Sequence, residues 1–259
     1  MKAIEYVYAA RAKGRCTSLD FISNIFTDFI ELHGDRRFAD DKAIVGGLAR
    51  FGNMTVTVIG IEKGQDTRSR IDRNFGSAHP EGYRKALRLM KQAEKFRRPV
   101  ICFVDTSGAY CGIGAEERGQ GQAISENIME MMDLKTPIIS ILIGEGGSGG
   151  ALALAVANEV WMLEKAVYSV ISPEGCASIL YKDPKMAEKA AEDLKLTSDD
   201  MLKFGVVDKI ISESPRNITF HIIRNELSSA LRRLCALSGE ELAEQRYKRY
   251  RVLGSHGTV

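Results

Sequence analysis

Residues 143–157, IGEGGSGGALALAVA, place five glycines between Gly144 and Gly150 and then run into alanines and leucines. Backbone this bare can present N–H groups without a Cβ in the way. Three uses fit: a phosphate cradle, a tight packing corner, or a hole for a developing anion. A P-loop needs a lysine and a Ser or Thr after its last glycine, and here Ala151 and Leu152 follow Gly150. The spacing Gly144, Gly146, Gly149 matches a dinucleotide fingerprint, but no ribose-binding acid stands at 165–170. The glycine density argues for more than a packing corner, which stays open for the other glycines and the small helix residues. Adjacent donors from Gly149 and Gly150 at a helix start would instead suit an oxyanion, each contributing roughly 2.7–4 kcal/mol to a transition state.

Ser148 in GGSGG resembles a nucleophile elbow. A triad would also need a histidine, and His33, His79, His221 and His256 all lie away from the carboxyl ends of the expected strands. Ser148 therefore reads as a small loop residue, and Cys111 lacks a base in the same way. Glu145, Glu116 and Glu117 are candidate acids or bases, the last two fitting equally well as carboxylates in a helix's first turn. An anion hole without an acid–base set suits an enolate or urea-anion reaction better than hydrolysis.

The elements that must position this chemistry follow from periodicity. Residues 1–32 read as helical, with Phe21, Ile25, Phe29 and Leu32 on one face. Strands are expected at 43–51 and 54–62, joined by Gly52-Asn53. A helix from Pro80 to Phe96 precedes the apolar run 100–104, and a helix over 116–133 precedes the run 138–143. Short strands are expected at 160–163 and 167–171, a helix from Pro173 to about Tyr181, helical pieces and a last strand within 185–212, and a charged helical tail broken near Ser238-Gly239. Short apolar runs alternating with helices indicate a largely parallel, buried sheet. Its glycine-rich loops, DTSGAYCGIGAEERG (105–119) and GEGGSGG (144–150), should share one crevice at the strands' carboxyl ends.

The bulk properties exclude several classes. The chain has 259 residues, 27% charged, with a formal net charge of +2, too small to imply nucleic acid or a membrane surface. No apolar stretch approaches the roughly 20 residues of a membrane span. The N-terminus MKAIEYVYAARAKGR lacks the apolar core of a signal peptide, and a cytoplasmic protein is expected. Cys16, Cys102, Cys111, Cys176 and Cys235 are scattered, without metal-ligand spacing, so no metal site is expected. Lys63, Arg68, Arg70 and Arg73 form a basic stretch that reads as a solvated face.

Long stretches of the chain closely resemble the alpha subunit of the carboxyltransferase component of bacterial acetyl-CoA carboxylase. They are DDKAIVGGLARF (40–51), RNFGSAHPEGYRKALRLMKQAEKF (73–96), DTSGAYCGIGAEERGQ (105–120) and GEGGSGGALALAVANEVWMLEKAVYSVISPEGCASILYKD (144–183). The resemblance implies an α/β crotonase-type (ClpP/crotonase) spiral of strand–strand–helix units with flanking N- and C-terminal helices. It implies a single domain over 1–259: an N-terminal helical segment 1–35, a core 36–212 and a C-terminal helical segment 213–259. The implied reaction moves the carboxyl group from carboxybiotin, borne on a biotin carboxyl carrier protein, to acetyl-CoA, giving malonyl-CoA for fatty-acid synthesis. The implied assembly is α2β2, with zinc in the beta subunit only. On this chain the implied hole for the biotin ureido oxygen falls on Gly149 and Gly150, with Gly108, Ala109, Gly146 and Gly147 around the carboxybiotin. The family usually has proline where this chain has Ser107 and Cys111, and arginine where it has Gln65. A non-catalytic paralogue that binds the beta subunit, or a carboxyltransferase for another acyl-CoA, are the alternatives.

Overall fold

The two apolar runs preceding the glycine-rich segments become the central strands, β4 (Val100–Thr106) and β5 (Ile138–Gly147), paired in parallel. Every residue of β4 is buried, as are all of β5 up to Gly146, because helices cover both faces of a parallel sheet. The computed structural model describes residues 1–254. Before β4 come α1 (Ala3–Ala10), α2 (Ser18–Ile25), β1 (Thr27–Glu31), β2 (Ile44–Phe51), β3 (Met54–Ile61), α3 (Thr67–Asp72) and α4 (Pro80–Lys95). Between β4 and β5 lie α5 (Ile113–Glu117) and α6 (Gln120–Asp133). After β5 follow α7 (Ser148–Leu152), β6 (Glu159–Leu163), β7 (Val167–Ser169), α8 (Pro173–Leu180), α9 (Ala187–Leu194), α10 (Ser198–Lys203), β8 (Lys209–Ile211), α11 (Arg216–Leu234) and α12 (Gly239–Val252).

The sheet runs β1-β2-β3-β4-β5-β6-β8, antiparallel among the first three strands and parallel from β3 onward. β7 leaves this path and pairs with the far end of β5, Glu145 to Gly147 against Val167 to Ser169. The first half of β5 meanwhile pairs with β6, Ile139 to Leu142 against Glu159 to Met162. One strand thus serves two neighbours in succession.

Several boundaries differ from the sequence reading. Residues 27–31, expected as helix, form β1 instead: Phe26 is extended after the last turn of α2, and the strand pairs with β2 at the sheet edge. The helix expected over 116–133 is divided, because Gly119 adopts a left-handed conformation between α5 and α6. The glycine-rich segment 144–147 is strand rather than loop, held by its pairing with β7. The small-residue helix after it is the five-residue α7, and its macrodipole is correspondingly small.

Flanking helices are anchored by buried polar contacts. Lys85 of α4 is fully buried and donates to Asp40 Oδ1 at 2.6 Å and to the Asp41 carbonyl at 2.8 Å. Arg246 of α12, also fully buried, donates to Asn158 Oδ1 at 2.6 Å and to the carbonyls of Met132, Leu134 and Thr136. Burial pushes its pKa down to about 10. No helix of the described residues is long and apolar enough to cross a membrane.

Phe21 of α2 stacks on Phe103 of β4 at 5.4 Å between ring centroids and meets Phe220 of α11 edge-on at 5.2 Å. The ring is 1% exposed and ties both terminal segments to the sheet. Phe21→Ala is expected to lower stability by about 3–5 kcal/mol. Urea unfolding should show the midpoint falling with an unchanged slope.

Candidate functional site

β4 and β5 are in simple parallel register from Val100 with Ile138 to Val104 with Leu142. The next pair is Thr106 with Gly146, so β5 carries extra residues opposite Asp105. This bulge brings the starts of the two glycine-rich segments together. The Asp105 carboxylate accepts the Glu145 N–H at 2.8 Å across it. Lys63, just beyond β3, closes the arrangement, with Nζ at 2.7 Å from both Asp105 Oδ1 and Glu145 Oε2. Arg11, after α1, reaches Glu145 Oε1 at 2.7 Å and Glu174 Oε1 at 2.7 Å. Arg15 donates to the Ile143 carbonyl at 2.8 Å.

These pairings fix the charges. Burial opposes ionisation of Glu145, but the Lys63 charge and the hydrogen bonds from Lys63 and Arg11 outweigh it and hold the pKa below the ordinary value. Burial likewise works against Lys63, and Asp105 and Glu145 together raise its pKa. Glu145 is therefore engaged in ion pairs and is no free general base. Lys63, expected on a solvated face, is a part-buried clamp, whereas Arg68 on α3 is exposed. Gln65 donates to both carboxylate oxygens of Asp20, at 2.9 and 2.8 Å, and so turns toward α2.

At the end of β5 the chain turns sharply through Ser148, which has φ of +49° and is exposed. Its hydroxyl has no hydrogen-bond partner among the described residues, so no base activates it. Gly149 and Gly150 follow in the first turn of α7, where N–H groups have no preceding intrahelical acceptor. Gly149 is half-buried and Gly150 buried. The first loop crosses directly over them. A Cβ on Gly147 would stand 2.2 Å from the Ser107 carbonyl oxygen. One on Gly150 would stand 2.6 Å from Ala109 N and 2.8 Å from Tyr83 Oη. Only glycine permits so close an approach. At Gly149 the nearest atom to such a Cβ is Ile124 Cγ2, at an ordinary 3.5 Å.

The structure thus gathers all six residues selected from sequence, Gly108, Ala109, Gly146, Gly147, Gly149 and Gly150, into one place. Ser107 and Cys111 are exposed on the same loop, and Glu116 and Glu117 are exposed on α5. Beside Gly149 opens a cavity of about 580 Å³ with a mostly apolar lining that includes Ser148, Leu152, Tyr168 and Val170. Among the described residues no cluster of three or more His, Cys, Asp or Glu is placed to hold a metal ion.

Sequence reasoning missed Lys63, Asp105, Tyr83 and His79. The last stacks on Tyr110 of the first loop with centroids 4.2 Å apart. Asp105 and Glu145 did carry a signal: each is a lone acid at the carboxyl end of an apolar run, and a buried charge needs a partner. Tyr83 and His79 carried none, because their contacts with the loop are non-local.

Residues 1–254 match the family described as acetyl co-enzyme A carboxylase carboxyltransferase-like. The acetyl-coenzyme A carboxylase carboxyl transferase subunit alpha of Ruminiclostridium cellulolyticum is 62% identical over 256 residues, covering 98% of both chains. The chain belongs to this family of carboxyltransferase alpha subunits. The subunit of the same description from Streptococcus pneumoniae strain Hungary19A-6 is 57% identical over 254 residues, covering 97% of this chain and 99% of the relative.

Solved structures establish the crotonase-like fold. A transcarboxylase 12S chain aligns with a TM-score of 0.70 at 18% identity, over 85% of this chain and 42% of that one. This chain spans less than half the length of that neighbour. A chain of a Pseudomonas malonate decarboxylase hetero-tetramer in complex with coenzyme A aligns with a TM-score of 0.68 at 16% identity, over 86% and 94% of the two chains.

Replacing Lys63 by Met would leave Asp105 and Glu145 buried without their shared cation, at a cost of about 3–5 kcal/mol. The pH dependence should also change sign. In the native chain Glu145 contributes fully above its unfolded value of 4.5, and the contribution is lost as pH falls through its lower folded pKa. In Lys63→Met, burial dominates and the folded pKa rises above 4.5, so acidification from neutrality should stabilise the variant. Urea midpoints measured between pH 7 and pH 5 would show this. Parallel pH profiles for variant and native protein would contradict it.

Proposed function

We propose that this chain acts as one carboxyltransferase domain and, with a beta subunit, transfers the carboxyl group from carboxybiotin to acetyl-CoA to form malonyl-CoA. The observation that carries the reading is the pair of first-turn N–H groups at Gly149 and Gly150, beneath the Gly108–Ala109 peptide, in a chain of this family. As the carboxyl group leaves, negative charge collects on the ureido oxygen of the biotin substrate, and the two N–H groups stabilise it there. The short α7 means that these local donors act, with little help from a helix dipole. Gly146 and Gly147 hold the strand end that aims them, and Gly108 and Ala109 close the opposite wall. The apolar cavity beside Gly149 has the size and lining of a small-ligand site, and would take the apolar edge of the biotin rings.

No acid or base of this chain is required. Glu145 is engaged in ion pairs, Ser148 has no base, and the α-proton of the acetyl group can pass to the biotin anion generated in the same site. The donors for the acetyl-CoA enolate belong, in this reading, to the beta subunit, which also carries the zinc. The carboxylated biotin arrives on a carrier protein, and the working assembly is α2β2.

Malonyl-CoA should form only when the chain is combined with its beta subunit, with acetyl-CoA favoured over propionyl-CoA. A correctly assembled pair without transfer would leave a non-catalytic binding subunit, and a preference for propionyl-CoA would change the acyl substrate. Gly150→Ala should lower kcat by roughly 10²–10³-fold, because its Cβ displaces the Ala109 peptide. Gly149→Ala keeps its N–H and has room for the Cβ, so its kcat should change little. Equal activity in the two variants would remove the assigned role.

A further inference from the structure

Tyr83 of α4 is completely buried, and its hydroxyl oxygen has no hydrogen-bond partner among the described residues. A buried hydroxyl in that state destabilises the fold, and phenylalanine would fill the same space without the cost. Burial also raises the pKa of the hydroxyl, which stays protonated and neutral. Nothing in the packing of α4 on the sheet calls for the oxygen.

Its position suggests a use. The point where a Gly150 Cβ would stand lies 2.8 Å from Tyr83 Oη, 2.6 Å from Ala109 N and 3.0 Å from the Gly108 carbonyl carbon. The hydroxyl and the Gly108–Ala109 peptide therefore flank the same spot on α7. Ala109 N–H has no acceptor among the described residues, whereas both neighbouring N–H groups do. Gly108 N–H donates to Thr106 Oγ1 at 3.0 Å, and Tyr110 N–H donates to the Ala78 carbonyl at 3.0 Å. An unused acceptor and an unused donor thus lie beside the same glycine. The intervening peptide is held by the bond that Thr106 Oγ1 donates to the Gly108 carbonyl at 2.8 Å, and Gly108, with φ of +151° and open space where a Cβ would be, is a joint about which it can turn when that bond is released.

We propose that Tyr83 is a positioning residue of the transfer site: when the carboxyl donor binds, the Gly108–Ala109 peptide turns and Ala109 N–H donates to Tyr83 Oη. This latches the first loop across Gly150 and fixes the wall facing the ureido oxygen. The inference rests on the reading of Gly149 and Gly150 as the site of that oxygen. It assigns the hydroxyl to loop closure and leaves acetyl-CoA binding untouched.

The test uses the chain assembled with its beta subunit, running in reverse from malonyl-CoA to biocytin as the carboxyl acceptor. Tyr83→Phe removes one oxygen and should melt at the same or a higher temperature. Its kcat/KM for biocytin should fall about five- to tenfold, the effect of one neutral hydrogen bond, with KM for malonyl-CoA unchanged. Hydrogen exchange of a peptide spanning residues 105–119 supplies a second readout: biocytin should slow exchange in the native assembly and do so less in Tyr83→Phe. Unchanged biocytin kinetics, or a fall shared by both substrates with a lower melting temperature, would overturn the latch. If the native assembly itself transfers nothing, the transfer reading fails separately, and the exchange experiment alone decides: protection by biocytin that Tyr83→Phe loses supports the latch, and its absence overturns it.

Discussion

The geometry of the site depends on one part-buried ammonium group. Lys63 Nζ bonds the carboxylates of Asp105 and Glu145 at the same distance of 2.7 Å, and those residues begin the two segments that form the site. Two carboxylates this close and this buried would repel each other and pay heavily in lost hydration. The shared lysine, with Arg11 on the far side of Glu145, turns that repulsion into a constraint on position. The bulge in β5, the contact of Ser107 with Gly147 and the placing of Ala109 over Gly150 all lie just beyond this clamp.

The clamp also explains why the glycine-rich segment is ordered. Residues 144–147 would be expected to wander if left as a loop. Here they continue β5 and pair with β7, so the backbone reaches Ser148 from a fixed direction. The sharp turn at Ser148 then starts α7 with Gly150 close against the first loop. A serine in a left-handed conformation is a modest local strain, tolerated because the strand before it and the packed helix after it leave little alternative.

Some side chains that look chemical from sequence are structural in this fold. Glu145 stands within the glycine motif, yet it is engaged by Lys63 and Arg11. Gln65, where the family resemblance implies arginine, is engaged with Asp20 and offers no donor fork. What these side chains leave available for the proposed chemistry is peptide groups, whose placement depends on shape rather than on side-chain pKa.

The sequence by itself determined much of this. Apolar runs 100–104 and 138–143, separated by helical periodicity, are enough to require a buried parallel sheet, because such strands cannot face water on either side. Glycine density at 144–150, with no lysine and no usable histidine, was enough to mark Gly149 and Gly150 as candidate backbone donors. Tertiary structure alone decided the rest. That 27–31 is an edge strand follows from pairing with β2, and that 144–147 is strand follows from pairing with β7, neither of which is encoded in local periodicity. Lys63 reads as one charge among several in a basic stretch until the fold brings Asp105 and Glu145 to it from positions distant in the chain. Tyr83 reads as one more apolar position of α4, and only packing shows that its oxygen lies unpartnered beside Gly150. Periodicity reports which face of an element is buried, whereas the partner that each buried polar atom meets is set by elements far away in sequence.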